Sequence, residues 1–160
     1  MLRYAKIKDM DIANAPGICV SLFVQGCSHH CKGCFNPDTW DFNGGEIFSR
    51  RVEYQFLELC KKEYIKNICI LGGEPMDQPE DLLKLLKKVK ETVPNKEIWL
   101  WTGYIYEDIV NSENEARKEI LNVIDVLVDG PFIEELADKG LRYYGSTNQR
   151  VLNLNTLRKP

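Results

Sequence analysis

No stretch of this chain stays apolar long enough to cross a bilayer, and the opening residues, MLRYAKIKDMD, carry charges where a secretory leader would carry its apolar core. Neither membrane insertion nor export is expected, and the expected location is the cytoplasm. A basic excess is missing too: 21 Lys and Arg stand against 24 Asp and Glu, for a formal charge of −3. A protein that tracks nucleic-acid phosphates needs the opposite balance, so no nucleic-acid partner is expected. Internal repeats, low-complexity tracts and Gly/Ser/Pro-rich linkers are lacking as well. The 160 residues, 44% of them hydrophobic, suffice for one core. A single domain over residues 1–160 is the expectation.

Cysteine is not scarce. Of six cysteines, Cys27, Cys31 and Cys34 fall within one short segment, whereas Cys19, Cys60 and Cys69 stand singly among apolar neighbours. In a reducing compartment disulfides are rare, and clustered thiols usually bind metal. The three isolated cysteines read as buried, packed residues.

Short apolar runs alternate with longer periodic ones. Residues 18–24 (ICVSLFV), 67–71 (NICIL), 97–101 (EIWLW) and 123–128 (VIDVLV) read as strands. Helices are expected over 49–64, with Val52, Phe56, Leu59 and Cys60 on one face, and over 80–93, with Leu82, Leu85, Leu86, Val89 and Val93 forming the stripe. A broken helical stretch runs from about 105 to 122, interrupted by the polar residues 111–114. A short helix near 133–137 and a last strand near 150–154 complete the pattern.

This alternation predicts an α/β fold with parallel strands and helical crossovers, the sheet being covered on both faces. A full eight-unit barrel takes about 250 residues, so the expected architecture is an incomplete, partial β/α barrel with a curved, mainly parallel sheet. Glycine and polar residues gather after the strand ends, at Gly26-Cys27, Gly72-Gly73-Glu74, Thr102-Gly103 and Asp129-Gly130. α/β proteins place their chemistry there.

The segment QGCSHHCKGCFN has the spacing C-x3-C-x2-C. Thiolates are the preferred ligands of iron–sulfur clusters, and three of them on a cubane leave a fourth iron open to a small molecule. The competing occupant is zinc, with His29 or His30 as a fourth ligand. Structural zinc sites, however, come as two separated ligand pairs, and no second pair exists here. The two histidines read as a solvated loop.

With Phe35 after the last cysteine, this pattern resembles the signature of the radical S-adenosylmethionine (SAM) superfamily. Gly72-Gly73-Glu74-Pro75 is similar to the GGEP motif of that family, which contacts the methionine amino group. The residues themselves agree with such a role: two glycines allow close backbone approach, and Glu74 offers an acceptor for an ammonium group. Further segments resemble the activating enzymes of glycyl radical enzymes. They are Ala15-Pro16-Gly17-Ile18, Phe23-Val24-Gln25-Gly26, Asn36-Pro37 and Thr39-Trp40. Trp101-Thr102-Gly103-Tyr104, residues 126–132 (VLVDGPF) and residues 145–150 (GSTNQR) are similar to the short branch acting on anaerobic ribonucleoside-triphosphate reductase. Activators of this kind often carry Arg where this chain has Cys19 and Tyr144.

The resemblance implies a [4Fe-4S] cluster on Cys27, Cys31 and Cys34, with SAM as the second cofactor. It further implies that Gly33 and Phe35 lie near the adenine and that Gly72, Gly73 and Glu74 hold the methionine end. Thr102 and Asp129 are candidates for the ribose or sulfonium surroundings, against plainer readings as a turn hydroxyl and a helix cap. Asn148, Gln149 and Arg150 face either the partner or their own chain. The implied partners are the reductase large subunit, a glycyl radical enzyme, and a reduced flavodoxin- or ferredoxin-type electron donor. Three alternatives stand beside this reading: activation of a different glycyl radical enzyme, small-molecule chemistry like that of 7-carboxy-7-deazaguanine synthase, and a non-catalytic electron-transfer module. A basic or aromatic pocket would favour the small molecule, whereas a simple electron carrier has no use for Glu74 and its turn.

Overall fold

The computed structural model describes residues 1–158. Strands β1 (Arg3–Asp11), β2 (Cys19–Val24), β3 (Glu46–Ile47), β4 (Asn67–Gly72), β5 (Glu97–Trp101), β6 (Val126–Asp129) and β7 (Arg150–Asn153) form one sheet in the order β3-β1-β2-β4-β5-β6-β7. The four central strands β2, β4, β5 and β6 are parallel, while β1, β3 and β7 join antiparallel at the flanks. The expected mainly parallel sheet is thus corrected to a mixed, open one. The cause is β1, for which the sequence gives little warning. Only Asp11 of its nine residues is buried, so its apolar side chains do not alternate cleanly.

Helices α1 (Arg50–Cys60), α2 (Pro79–Thr92), α3 (Tyr106–Val110) and α4 (Glu115–Val123) follow the expected periodicity, whereas α5 (Leu154–Leu157) is a single turn outside the expected pattern that begins where the last strand is expected to end. Ser49 caps α1 through Val52 N–H, and Asn114 caps α4 through Arg117 N–H at 3.0 Å. The polar run 111–114 therefore interrupts the helix because it supplies a new N-cap. The helix expected near 133–137 is a single 3-10 turn, Glu134–Leu136. Residues 123–125 belong to the end of α4 and the turn into β6 rather than to the strand.

The helices pack on one face of the sheet only, which corrects the expectation of cover on both. Val20, Leu22 and Val24 of β2, Ile68 and Ile70 of β4, Ile98 and Leu100 of β5 and Leu127 of β6 meet Phe56, Leu82, Leu85, Leu86, Val89 and Ile120 in one buried cluster. Parallel strands laid down in sequential order, with crossovers of one hand, put every crossover helix on the same side. The alternate residues, Cys19, Phe23, Cys69, Leu71, Trp99, Val126 and Val128, form a second cluster on the other face. There the cover comes from Ala15, Trp101, Tyr143 and Tyr144. The two family departures, Cys19 and Tyr144, both fall in this cluster. Among the described residues no helix is long and apolar enough to cross a membrane.

Candidate functional site

The helix-free face opens into a cavity of about 720 Å³ beyond the C-terminal ends of the parallel strands. Its lining includes Cys27, Cys31 and Cys34, the Gly72-Gly73-Glu74 turn, Thr102-Gly103, and Gly33 with Phe35. One cavity thus gathers the triad, the glycine turn and the β5 end. A second depression, about 680 Å³, lies between α2 and α4 and contains no cysteine.

The triad loop leaves β2 and is pinned at its base by Gly26 N–H to the Thr39 carbonyl at 2.6 Å and Cys27 N–H to the Trp40 carbonyl at 3.1 Å. Cys27 is buried at that base, while Cys31 and Cys34 are half-exposed nearer the rim. Burial pushes the Cys27 thiol up, and the backbone N–H groups of His29 and His30 work against that shift. Asn36 N–H donates to Cys34 Sγ at 3.3 Å. Backbone donors of this kind orient the sulfurs within the loop. Among the described residues no three His, Cys, Asp or Glu side chains converge on one ion. Three thiols opening into one cavity, with no second ligand pair in the segment, fit an iron–sulfur cluster better than a closed structural zinc site.

Both histidines have other occupations, so the solvated-loop reading fails for His29. Its Nε2 lies 2.7 Å from Glu74 Oε1, and its ring sits edge-on to Tyr104 with centroids 4.5 Å apart. The Glu74 contact raises the His29 pKa, against the opposing effect of burial. His30 stacks on Trp40 at 4.6 Å and 8°.

Glu74, 1% exposed, is the most connected side chain in the site. It accepts from Gly103 N–H at 2.6 Å, from Met76 N–H at 2.8 Å, from the Thr102 hydroxyl at 2.9 and 2.8 Å, and from His29. A carboxylate has about four acceptor sites, and here the protein's own donors fill them. Glu74 is therefore a frame for the turn rather than a free acceptor. Gly72 and Gly73 are demanded by crowding. A Cβ on Gly72, at φ +130°, would lie 2.4 Å from the Val24 carbonyl oxygen, and one on Gly73 would lie 2.5 Å from that of Gly26. The turn thus packs directly on the strand that launches the triad.

Thr102 lines the cavity and also accepts from Tyr104 N–H at 3.1 Å, so it is both the expected turn hydroxyl and a Glu74 anchor. Asp129 lies elsewhere. Its buried carboxylate takes Arg150 Nε at 3.0 Å and Tyr106 N–H, in the first turn of α3, at 2.8 Å, so it does not cap the turn that follows Pro131, and Gly130 rather than Asp129 lines the cavity. Asn148 and Gln149 bond to the carbonyls of Pro131 and Gly130, and Arg150 also reaches Glu107. All three thus make hydrogen bonds within their own chain, and Gln149 also lines the cavity. Phe35 is 75% exposed and meets Phe132 at 5.0 Å.

Sequence reasoning missed Asp77, Tyr104 and Arg117, which back the site. Tyr104 donates to Asp77 Oδ1 at 2.6 Å, Ser28 N–H donates to Asp77 Oδ2 at 2.9 Å, and Arg117 covers the Tyr104 ring at 4.6 Å. Asp77 follows Glu74 by one turn, a cue the sequence did offer. Lys6 and Lys8 were missed with β1; both lie over the Phe23 ring on the cavity wall.

The remaining thiols are enclosed. Burial pushes Cys60 up to about 12, and the neighbouring Cys19 thiol together with burial pushes Cys69 up as well. At pH 8 a thiol with the Cys60 value is thiolate in only about 1 molecule in 10,000. Cys19, Cys60 and Cys69 are each 0% exposed, so brief alkylation of the folded, iron-free chain should label Cys31 and Cys34 and spare these three. Peptide mass spectrometry reads the pattern, and early labelling of Cys60 would contradict this burial.

The family described as a 4Fe-4S single cluster domain matches residues 13–152. The anaerobic ribonucleoside-triphosphate reductase-activating protein of Escherichia coli (strain K12) is 38% identical over 157 residues, covering 96% of this chain and 99% of that protein. The protein of the same name from Vibrio cholerae is 40% identical, covering 94% and 97%. Its namesake from enterobacteria phage T4 is 38% identical, covering 94% and 93%. With a cluster-domain match across the triad and relatives that align from end to end, this chain belongs to the family of anaerobic ribonucleoside-triphosphate reductase-activating proteins.

Proposed function

We propose that this chain is a radical SAM activase that installs a glycyl radical on an anaerobic ribonucleoside-triphosphate reductase. The observation that carries the reading is the shared cavity, into which the three thiols and the Gly72-Gly73-Glu74 turn both open. A [4Fe-4S] cluster with bound SAM would supply one electron to the sulfonium, releasing methionine and a 5′-deoxyadenosyl radical that takes the α-hydrogen of a partner glycine and leaves as 5′-deoxyadenosine. Cys27, Cys31 and Cys34 hold the irons. Gly72 and Gly73, lacking side chains, bring backbone carbonyls to the methionine ammonium, while Glu74 keeps that turn in place through Met76 and Gly103. Thr102 steadies Glu74, and Gly33 and Phe35 border the adenine.

The open sheet, read as a partial barrel, leaves the helix-free face accessible to a loop of the reductase large subunit. The electron comes from a reduced flavodoxin- or ferredoxin-type donor in the cytoplasm. Lys6, Lys8 and Phe23 form a basic, aromatic wall that a small anionic substrate would also use. Likeness to activating proteins over nearly the whole chain favours the protein substrate.

Anaerobic reconstitution with iron and sulfide, followed by reduction with SAM, should yield a [4Fe-4S]⁺ resonance and 5′-deoxyadenosine. Adding the reductase should produce a glycyl-radical doublet on it. Absence of both the cluster signal and 5′-deoxyadenosine would refute the activase. SAM cleavage without a doublet on the reductase would point to a different substrate.

A further inference from the structure

We propose that His29 is a positioning residue that fixes the cluster loop in register with the Glu74 turn; this deepens, and rests on, the radical SAM reading above. His29 stands midway between Cys27 and Cys31, yet its ring makes its contacts outside its own loop. Nε2 reaches Glu74 Oε1 at 2.7 Å. The ring lies so close over Gly103 that a Cβ there would come within 2.7 Å of Cδ2 and 2.8 Å of Nε2. Its third side meets Tyr104. The partners are thus the turn after β4 and the end of β5, two segments that also line the cavity into which the thiols open. Ser28 adds a second tie, to Asp77, through its backbone N–H.

Because the donors of the protein already saturate Glu74, what His29 gains there is a fixed place for the loop rather than a direct hold on ligand. His30, the adjacent residue, stacks instead on Trp40 of its own downstream segment. One histidine therefore anchors the loop to the frame, and the other closes the loop on itself. Removing the His29 imidazole leaves all three thiols in place but lets them shift against the turn. An open iron and an amino-acid moiety would then no longer meet at a set distance, and chelation demands that distance.

The test compares the reconstituted wild-type protein with His29→Ala and His29→Gln. Iron and sulfide content, the resonance of the reduced cluster without SAM, and the affinity for SAM are measured on each. All three proteins should carry equal cluster with the same SAM-free resonance. His29→Ala should bind SAM about tenfold or more weakly, the worth of a hydrogen bond to a charged group, and should lose the SAM-induced change in the resonance. Glutamine can donate to Glu74 at similar reach and should recover most of both.

Wild-type affinity together with a wild-type SAM response in His29→Ala would overturn the proposal. So would loss of cluster in both variants, which would make His29 a cluster-holding residue. A wild-type protein that carries cluster but does not respond to SAM would refute the radical SAM reading itself, and this proposal with it.

Discussion

Replacing Cys31 with alanine should abolish 5′-deoxyadenosine formation while leaving the fold untouched. Cys31 is half-exposed, and its carbonyl, which accepts Cys34 N–H at 3.1 Å, survives the change. Surface substitutions of this kind usually alter stability by no more than about 0.5 kcal/mol. Two thiolates, by contrast, cannot replace three around a cubane whose fourth iron must stay open. Iron analysis, the reduced-cluster resonance and product formation should all fall to background, with an unchanged thermal midpoint for the iron-free chain. A variant that kept its cluster and its turnover would show that the ligands are misassigned.

Glu74→Ala should act in the opposite way, through the fold as well as the chemistry. The side chain is 1% exposed and takes donors from Met76, Gly103, Thr102 and His29. Alanine strands two backbone N–H groups and a hydroxyl in a confined space, at about 1–3 kcal/mol for each donor left unpaired. A loss of about 3–5 kcal/mol is expected in anaerobic urea unfolding, together with loss of SAM binding. Glu74→Gln keeps one carbonyl oxygen and should cost less. A stability loss below about 1 kcal/mol for alanine would mean that water readily replaces the carboxylate, contrary to its burial.

Much of this site was legible because its chemistry is local in sequence. The C-x3-C-x2-C spacing and the Gly-Gly-Glu-Pro turn are contiguous, and the central strands announce themselves as apolar runs that are buried almost throughout. What could not be read depends on distant pairing. Strand β1 is specified by its partner β2, to which Tyr4, Ile7 and Asp11 pair with shifts of register, and not by a pattern of its own. The histidines looked alike because composition does not show which way a loop side chain turns. The neighbour that claims His29 is 45 positions away. Asp129 was placed near the site by its position at a strand end, but Arg150, on an edge strand that pairs with β6, claims its carboxylate. The sequence places Glu74 at a strand end but does not show that four of the protein's own groups, Met76 N–H, Gly103 N–H, the Thr102 hydroxyl and His29, already bond its carboxylate.

The graded burial of the triad bears on how such a protein survives damage. Cys27 lies at the base of the cavity while Cys31 and Cys34 stand nearer its rim, and the loop is also tied by its own backbone and by Asp77 and Glu74. Oxidation that strips the irons should then disarm the molecule without unravelling it. Circular dichroism of chelated protein, set against its refilled form, should show one and the same fold.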